Sequence, residues 1–195
     1  MSEPRRCWPT SDPAYVEYHD REWGRPVTDE RGLYERLCLE GFQSGLSWLT
    51  ILRKRPAFRA AFAGFDPETV ARFGERDVKR LLDDAGIVRH RGKIEATIAN
   101  ARATLALREA GTPLHEVVWS HRPADGRAPR SPADWQASTP ESAALSKQLR
   151  AAGFRFVGPT TVYATMQACG VVNDHLADCI VRDEVERKIA SSTIA

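Results

Sequence analysis

Two Cys/His pairs stand near opposite ends of the chain, Cys7 with His19 and His175 with Cys179. In His175-Leu-Ala-Asp-Cys179 the spacing is i, i+4, which on a helix puts both side chains on one face. Two thiolates and two imidazoles make a closed tetrahedral Cys2His2 donor set, the set that Zn2+ prefers in structural sites. Such a site would tie the first residues to the last helix. A plainer reading stands beside it: buried cysteines are often small hydrophobes, and histidines are often simply hydrogen-bonded. Cys38 and Cys169 lie in apolar helical stretches and read as core residues.

Glu40 is the second unusual group, an acid in the otherwise apolar window Leu37-Cys38-Leu39-Glu40-Gly41-Phe42. A buried carboxylate is costly without a partner. Tyr15, Tyr18, Trp23 and Trp48 lie nearby in sequence, so a planar aromatic ligand with N–H donors, stacked between rings, would satisfy it. A helix cap or an Arg partner would satisfy it equally. The stretch Gly153-Phe-Arg-Phe-Val-Gly158-Pro159-Thr160 reads as a short hairpin between helices. Backbone N–H groups at such a helix start can hold a phosphate oxygen, the logic of a helix-hairpin-helix; a plain interhelical turn has the same local pattern. Arg89, Arg91 and Lys93 form a weaker second candidate for phosphate contacts.

The elements that must position these groups are helical nearly throughout. Thr28 and Asp29 cap a helix carrying Leu33, Leu37 and Glu40. Asp66-Pro67-Glu68 starts another. The segment from Asp77 to Asp84 is expected to end at a left-handed Gly86. Ile94, Ile98, Ala101 and Leu105 mark a long helix ending near Gly111. A polar loop with four prolines or glycines spans residues 120–138, after which helices run from about Pro140 to Ala152, from Pro159 to Cys169, and from Asp174 onward. No period-2 alternation is long enough for a strand, so the expected class is all-α.

A length of 195 residues with 42% hydrophobic content suits one domain with a real core. No apolar run approaches the roughly 20 residues of a membrane span, and no signal peptide opens the chain. Four scattered cysteines fit a reduced cytoplasmic protein better than a disulfide scaffold. The net charge of +2 does not by itself announce nucleic acid.

Taken together, the motifs resemble those of the 3-methyladenine DNA glycosylase I (Tag) family of base-excision repair. They are Asp12-Pro13 with Tyr15, Tyr18-His19-Asp20, Glu22-Trp23-Gly24, Leu39-Glu40-Gly41, Gly45-Leu46-Ser47-Trp48, Ala85-Gly86-Ile87, Arg89-His90-Arg91-Gly92-Lys93-Ile94, Phe156-Val157-Gly158, Met166-Gln167-Ala168-Cys169-Gly170 and Asn173-Asp174-His175. The resemblance runs from about Cys7 to Cys179.

It implies a helix-hairpin-helix glycosylase fold, a single unit over residues 1–195 with the hairpin near 145–170. It implies structural zinc on Cys7, His19, His175 and Cys179. Glu40 falls where the base-recognising acid sits, Tyr18 and Trp48 where aromatics embrace the base, and Tyr15 and Trp23 at the pocket wall. Gly45 and Leu46 stand where the family probes the duplex, with Leu46 as the wedge; Phe156, Val157, Gly158 and Thr160 are the expected backbone-gripping residues. The implied activity is monofunctional hydrolysis of the N-glycosidic bond of 3-methyladenine in double-stranded alkylated DNA, with the free base as product. The enzyme is expected to be a cytoplasmic, DNA-associated monomer with no membrane partner. The alternative class is a zinc-stabilised DNA-binding protein without catalysis.

Overall fold

Side-chain caps set where most of the helices begin. In the computed structural model, which describes residues 5–124, 126 and 128–192, Asp12, Asp29, Ser47, Asp66, His90 and Thr139 each accept a hydrogen bond from a backbone N–H of the following first turn. Those donors have no partner within the helix itself. Proline follows Asp12, Asp66, Thr139 and Gly158, at the position where a missing N–H is harmless.

The described residues form ten α-helices: α1 (Pro13–Arg21), α2 (Glu30–Gln43), α3 (Trp48–Ala61), α4 (Pro67–Ala71), α5 (Glu75–Asp83), α6 (Arg91–Glu109), α7 (Leu114–Trp119), α8 (Pro140–Ala151), α9 (Pro159–Ala168) and α10 (Arg182–Ser191). None is long and apolar enough to cross a membrane. The expected all-α class agrees with this architecture.

The core is organised around α2. Every residue from Leu33 to Phe42 is buried, and a helix hidden on all sides belongs to a centre rather than a surface. α3, α6, α7 and α9 pack around it. Phe42 meets Phe58 with ring centroids 4.6 Å apart, and Phe62 continues the stack to Phe65 at 5.6 Å. Each such side chain contributes roughly 1.5–3 kcal/mol by leaving water. This apolar frame fixes the few polar groups that α2 also buries, Glu35, Arg36 and Glu40.

Two sequence expectations are corrected. The helix expected from Asp174 begins only at Arg182, so His175 and Cys179 lie on a turn, with Cys179 N–H donating to Leu176 O at 2.9 Å. The reason is tertiary: the Arg182 guanidinium takes the carbonyls of Asn173 and His175, which a helix would need for itself. Cys179 instead forms a parallel β-bridge with Arg5, the one β pairing among the described residues. Gly86 is not a left-handed cap; α5 ends at Asp84, whose carboxylate accepts the Gly86 N–H at 2.7 Å. A side chain on Gly86 would collide with Asp84 and Ala57, so that glycine answers close approach rather than positive φ.

Candidate active site

α1, α2 and α3 converge on the carboxyl of Glu40. α2 carries it near its C-terminal end, only 5% exposed, and among the described residues it has no hydrogen-bond partner. Tyr18 of α1 and Trp48, the first residue of α3, are both buried and pack with centroids 5.3 Å apart at 44°. Tyr15 lies one turn earlier on α1, 6.3 Å from Tyr18, and is half-buried. The indole Nε1 of Trp48 is buried without an acceptor. Unpaired buried polar groups are rare in folded proteins; the Trp48 indole is one, and the Glu40 carboxyl, near enough to Tyr15 and Tyr18 to act on both phenols, makes no hydrogen bond either.

Electrostatics sharpen the point. Burial pushes the Glu40 carboxyl up to about 8, against the opposing pull of the Arg36 guanidinium one turn back on α2. Burial thus favours the protonated carboxyl near neutral pH. Arg36 is itself held: its Nη2 donates to Glu22 at 2.8 Å, its guanidinium carbon lies 5.8 Å from the Tyr18 ring centre, and its Nη1 is buried and unpaired. Burial would raise the Glu22 carboxyl, but hydrogen bonds from Arg55 and Arg36 outweigh it and bring it down to about 2. The chain Glu22–Arg36 thus delivers a fixed positive charge toward Glu40.

The turn between α2 and α3 is built to expose one apolar side chain. Ser44 leaves the helix with ψ 116°, Gly45 takes φ +83°, and Ser47 caps α3. Leu46, at the tip, is 42% exposed. A second exposed apolar tip is Phe156, in the turn between α8 and α9, also 42% exposed. That turn is pinned from α6 by Asn100, which accepts from Arg155 N–H at 2.7 Å and donates to Arg155 O at 3.2 Å. Ser146 holds it from α8 by donating to Val157 O at 2.6 Å. Val157 is buried and anchors the turn from within; Gly158 opens α9 without a side-chain cap, and Thr160 is exposed.

The four predicted ligands meet as expected although the local helix does not exist. Cys7, His19, His175 and Cys179 are all buried, and their ligating atoms lie within 4.8 Å of one another. Each imidazole is oriented from behind: His19 Nδ1 sits 2.8 Å from Asp20, and His175 Nδ1 sits 3.0 Å from Asn173. His175 Nε2 is left buried with no partner, an orphan that a metal ion would satisfy. Burial keeps that ring neutral by pushing it down to about 3. The contact between the two thiols raises Cys7 and lowers Cys179, so one of the pair is readily a thiolate. The donor chemistry, and the oxygens that hold each imidazole from behind, both fit a tetrahedral metal.

Trp23 stands nearer this cluster than the Glu40 pocket, 4.5 Å from His175 by ring centroids. The sequence reading missed Trp8, which joins the two regions: it lies 5.0 Å from Trp23, 4.7 Å from His19 and 5.1 Å from Tyr15. Gly24 beside it adopts φ +77°, and a Cβ there would strike His175 at 2.7 Å. Among the other basic candidates, Arg91 is taken by Glu75 and Glu95, Lys93 turns inward, and Arg89 remains exposed. A cavity of about 610 Å³ lies elsewhere, between Arg122, Tyr163, Arg182 and Glu186. None of the aromatic residues around Glu40 lines it, so its size does not make it the reactive centre.

A family model for methyladenine glycosylases matches residues 8–183. The chain is 52% identical over 178 residues to DNA-3-methyladenine glycosylase 1 of Escherichia coli, covering 89% of this chain and 95% of that protein. A crystal structure of a 3-methyladenine DNA glycosylase I superposes with a TM-score of 0.87 at 50% identity, over 90% of this chain and 98% of the other. The 3-methyladenine DNA glycosylase I of Staphylococcus aureus, solved to explain how it recognises 3-methyladenine, gives 0.87 at 36% identity over 93% of this chain and 98% of its own.

Proposed function

The chain belongs to the methyladenine glycosylase family, and from that premise we propose that it is a DNA-3-methyladenine glycosylase, releasing 3-methyladenine from alkylated double-stranded DNA by hydrolysis of the N-glycosidic bond. The observation that carries this reading is Glu40: a buried carboxyl without a hydrogen-bond partner, beside a Tyr18–Trp48 pair whose indole N–H is also unpaired. A flipped adenine edge supplies donors for the first and a ring face for the second.

Methylation at N3 leaves the nucleotide base cationic. Stacking it on Trp48 or Tyr18 gains about 1 kcal/mol of cation–π attraction, more when desolvated. Its charge, added to that of Arg36, would draw the proton off Glu40 and leave a carboxylate opposite a cation. Neutral adenine brings no such charge, so the same pocket resists it. The cation is already an able leaving group, so departure of the free base and attack of water at C1′ need little acid catalysis. Three of the five lysines are committed, Lys54 and Lys93 to backbone carbonyls and Lys188 to Glu184, and the reading is of a monofunctional enzyme without an amine nucleophile.

Residues 1–195 are read as one glycosylase unit acting as a cytoplasmic, DNA-associated monomer, with a helix-hairpin-helix formed by α8, α9 and the turn between them. Leu46 and Gly45 would enter the duplex, while the exposed Phe156 meets its surface, Thr160 and the backbone of Gly158 at the start of α9 grip its phosphates, and the buried Val157 supports that turn from beneath. Cys7, His19, His175 and Cys179 would hold a structural Zn2+; filled by four protein ligands, it offers no open position for an activated water. Incubation with methylated duplex DNA and chromatography of released bases tests the proposal. Release of 3-methyladenine, abolished in Glu40→Ala and Trp48→Ala, is expected. Undiminished release in both variants would remove Glu40 and Trp48 from the chemistry. Absence of any released purine would leave a non-catalytic zinc-stabilised DNA-binding protein.

A further inference from the structure

Lys93 is a buried lysine, 8% exposed, in the first turn of α6. Its ammonium donates to Phe42 O at 2.9 Å and to Ser44 O at 2.6 Å. Those carbonyls belong to the last turn of α2 and to the residue that leaves it, where helix carbonyls have no partner of their own. On its other side the same ammonium lies 6.0 Å from the centre of the Phe156 ring. Phe156 holds a left-handed backbone conformation, φ +55°, uncommon for a bulky residue. It is confined there by His90, whose ring lies edge-on at 6.2 Å, and by Gly41, where a Cβ would approach the Phe156 Cβ to 3.3 Å. Lys93 thus sits between the turn that presents Leu46 and the turn that presents Phe156. These are two of the three large apolar side chains exposed among the described residues, the third being Ile180.

We propose that Lys93 is a positioning residue for opening duplex DNA, its ammonium locking the Leu46 turn to the Phe156 turn so that both apolar tips meet the helix as one rigid element. The inference rests on the base-excision reading but concerns a separate step, the parting of the base stack before any bond is cut. A wedge must resist being pushed back, and loop residues 44–47 have little else to stiffen them: the hydrogen bonds within the loop are Leu46 N–H to Gln43 O at 2.6 Å and the Ser47–Thr50 cap. A lysine suits the task because its three donors radiate from one point, two toward carbonyls and one face toward a ring. Burial lowers its pKa, a cost that surface stability alone would not call for.

The test uses duplex DNA with 2-aminopurine beside a stable abasic analogue, whose fluorescence rises on unstacking whether or not a base is cleaved. In Lys93→Met, the protein concentration needed for the rise should increase at least about tenfold, the order expected for losing a charge-assisted hydrogen-bond pair. Affinity for free 3-methyladenine, read from Trp48 fluorescence, should stay within about threefold, because no contact in that pocket changes. Leu46→Ala should show the same duplex defect, and the double variant should be no worse than the poorer single one. Equal losses for duplex and free base, or additive losses in the double variant, would overturn the proposal. Should Lys93→Met not fold, Phe156→Ala at the exposed tip replaces it in the same cycle with the same two outcomes. Wild-type protein that opens the duplex yet releases no base would refute the enzymatic reading alone.

Discussion

The Cys/His cluster and the Glu40 pocket are built from similar materials and are finished differently. Both are buried, both are walled by aromatics, both keep unpaired nitrogens, and Trp8 touches each wall. In the cluster every imidazole is held from behind by a side-chain oxygen and all four donors converge. In the pocket the carboxyl has nothing to accept from, and its charge is withheld by burial. The first arrangement suits an occupant that arrives once and stays. The second suits one that enters, discharges the strain of an unpaired acid, and leaves. Support from behind marks a permanent ligand, and its absence marks a transient one.

The largest separation between the regions should come from Cys179→Ala. Removing a thiolate from a closed metal shell is expected to cost several kcal/mol of stability, seen as a lowered melting temperature and loss of bound zinc, and strong chelators should destabilise wild type similarly. Glu40→Gln should instead fold normally while base release falls by about 10²–10³-fold, the scale of losing one charge-stabilising group. Its stability should also depend on pH in a defined direction. The folded Glu40 carboxyl sits at about 8 and so holds its proton more tightly than the unfolded chain does. Its contribution is fully present below the ordinary carboxylate range and is lost as pH climbs through about 8. Glu40→Gln should therefore melt at higher temperature than wild type at pH 8 and at the same temperature near pH 4. If the gap instead widened toward acid, the carboxyl would be ionised in the fold and the contrast between the regions would fail.

Smaller effects probe each wall. Trp48→Ala should weaken 3-methyladenine binding by about 1–3 kcal/mol, the usual value of one base–aromatic stack, with little change in zinc content. Asn173→Ala should do the converse, lowering metal affinity by about 10–100-fold through a freed His175 ring while free-base affinity holds. Calorimetric titration of both ligands into both variants would check that the two regions are independent despite the shared Trp8.

Much of this was readable from residue order. Asp29 and Asp66 start helices where short polar side chains must, and Glu40 is recognisable as an acid inside an apolar run. The four Cys and His side chains do come together, but for a reason that proved local in the wrong way: i, i+4 spacing predicted a helix, whereas a turn delivers His175 and Cys179. That turn is dictated by Arg182 taking the carbonyls of Asn173 and His175 and by Asp174 receiving Tyr163 and Gln167, contacts 7 to 11 residues apart that the i, i+4 spacing does not register. Arg36 and Asn100 were missed, and Lys93 was taken for a phosphate contact, for a related reason. Each looks like an ordinary polar residue on a helix, and each acquires its role only from a partner 14 to 55 positions away.

The bridge between Arg5 and Cys179 also orders events during synthesis. Cys7 and His19 leave the ribosome early but cannot meet their partners until residue 179 has emerged, some 160 residues after His19. Trp8 and Tyr15 wait with them, since their wall is completed by Trp23 against His175. A nascent chain released prematurely after α9 would display most of the core helices yet present an unclosed first segment to proteases. Translation past residue 179 is thus a condition for the first segment to be held by the last.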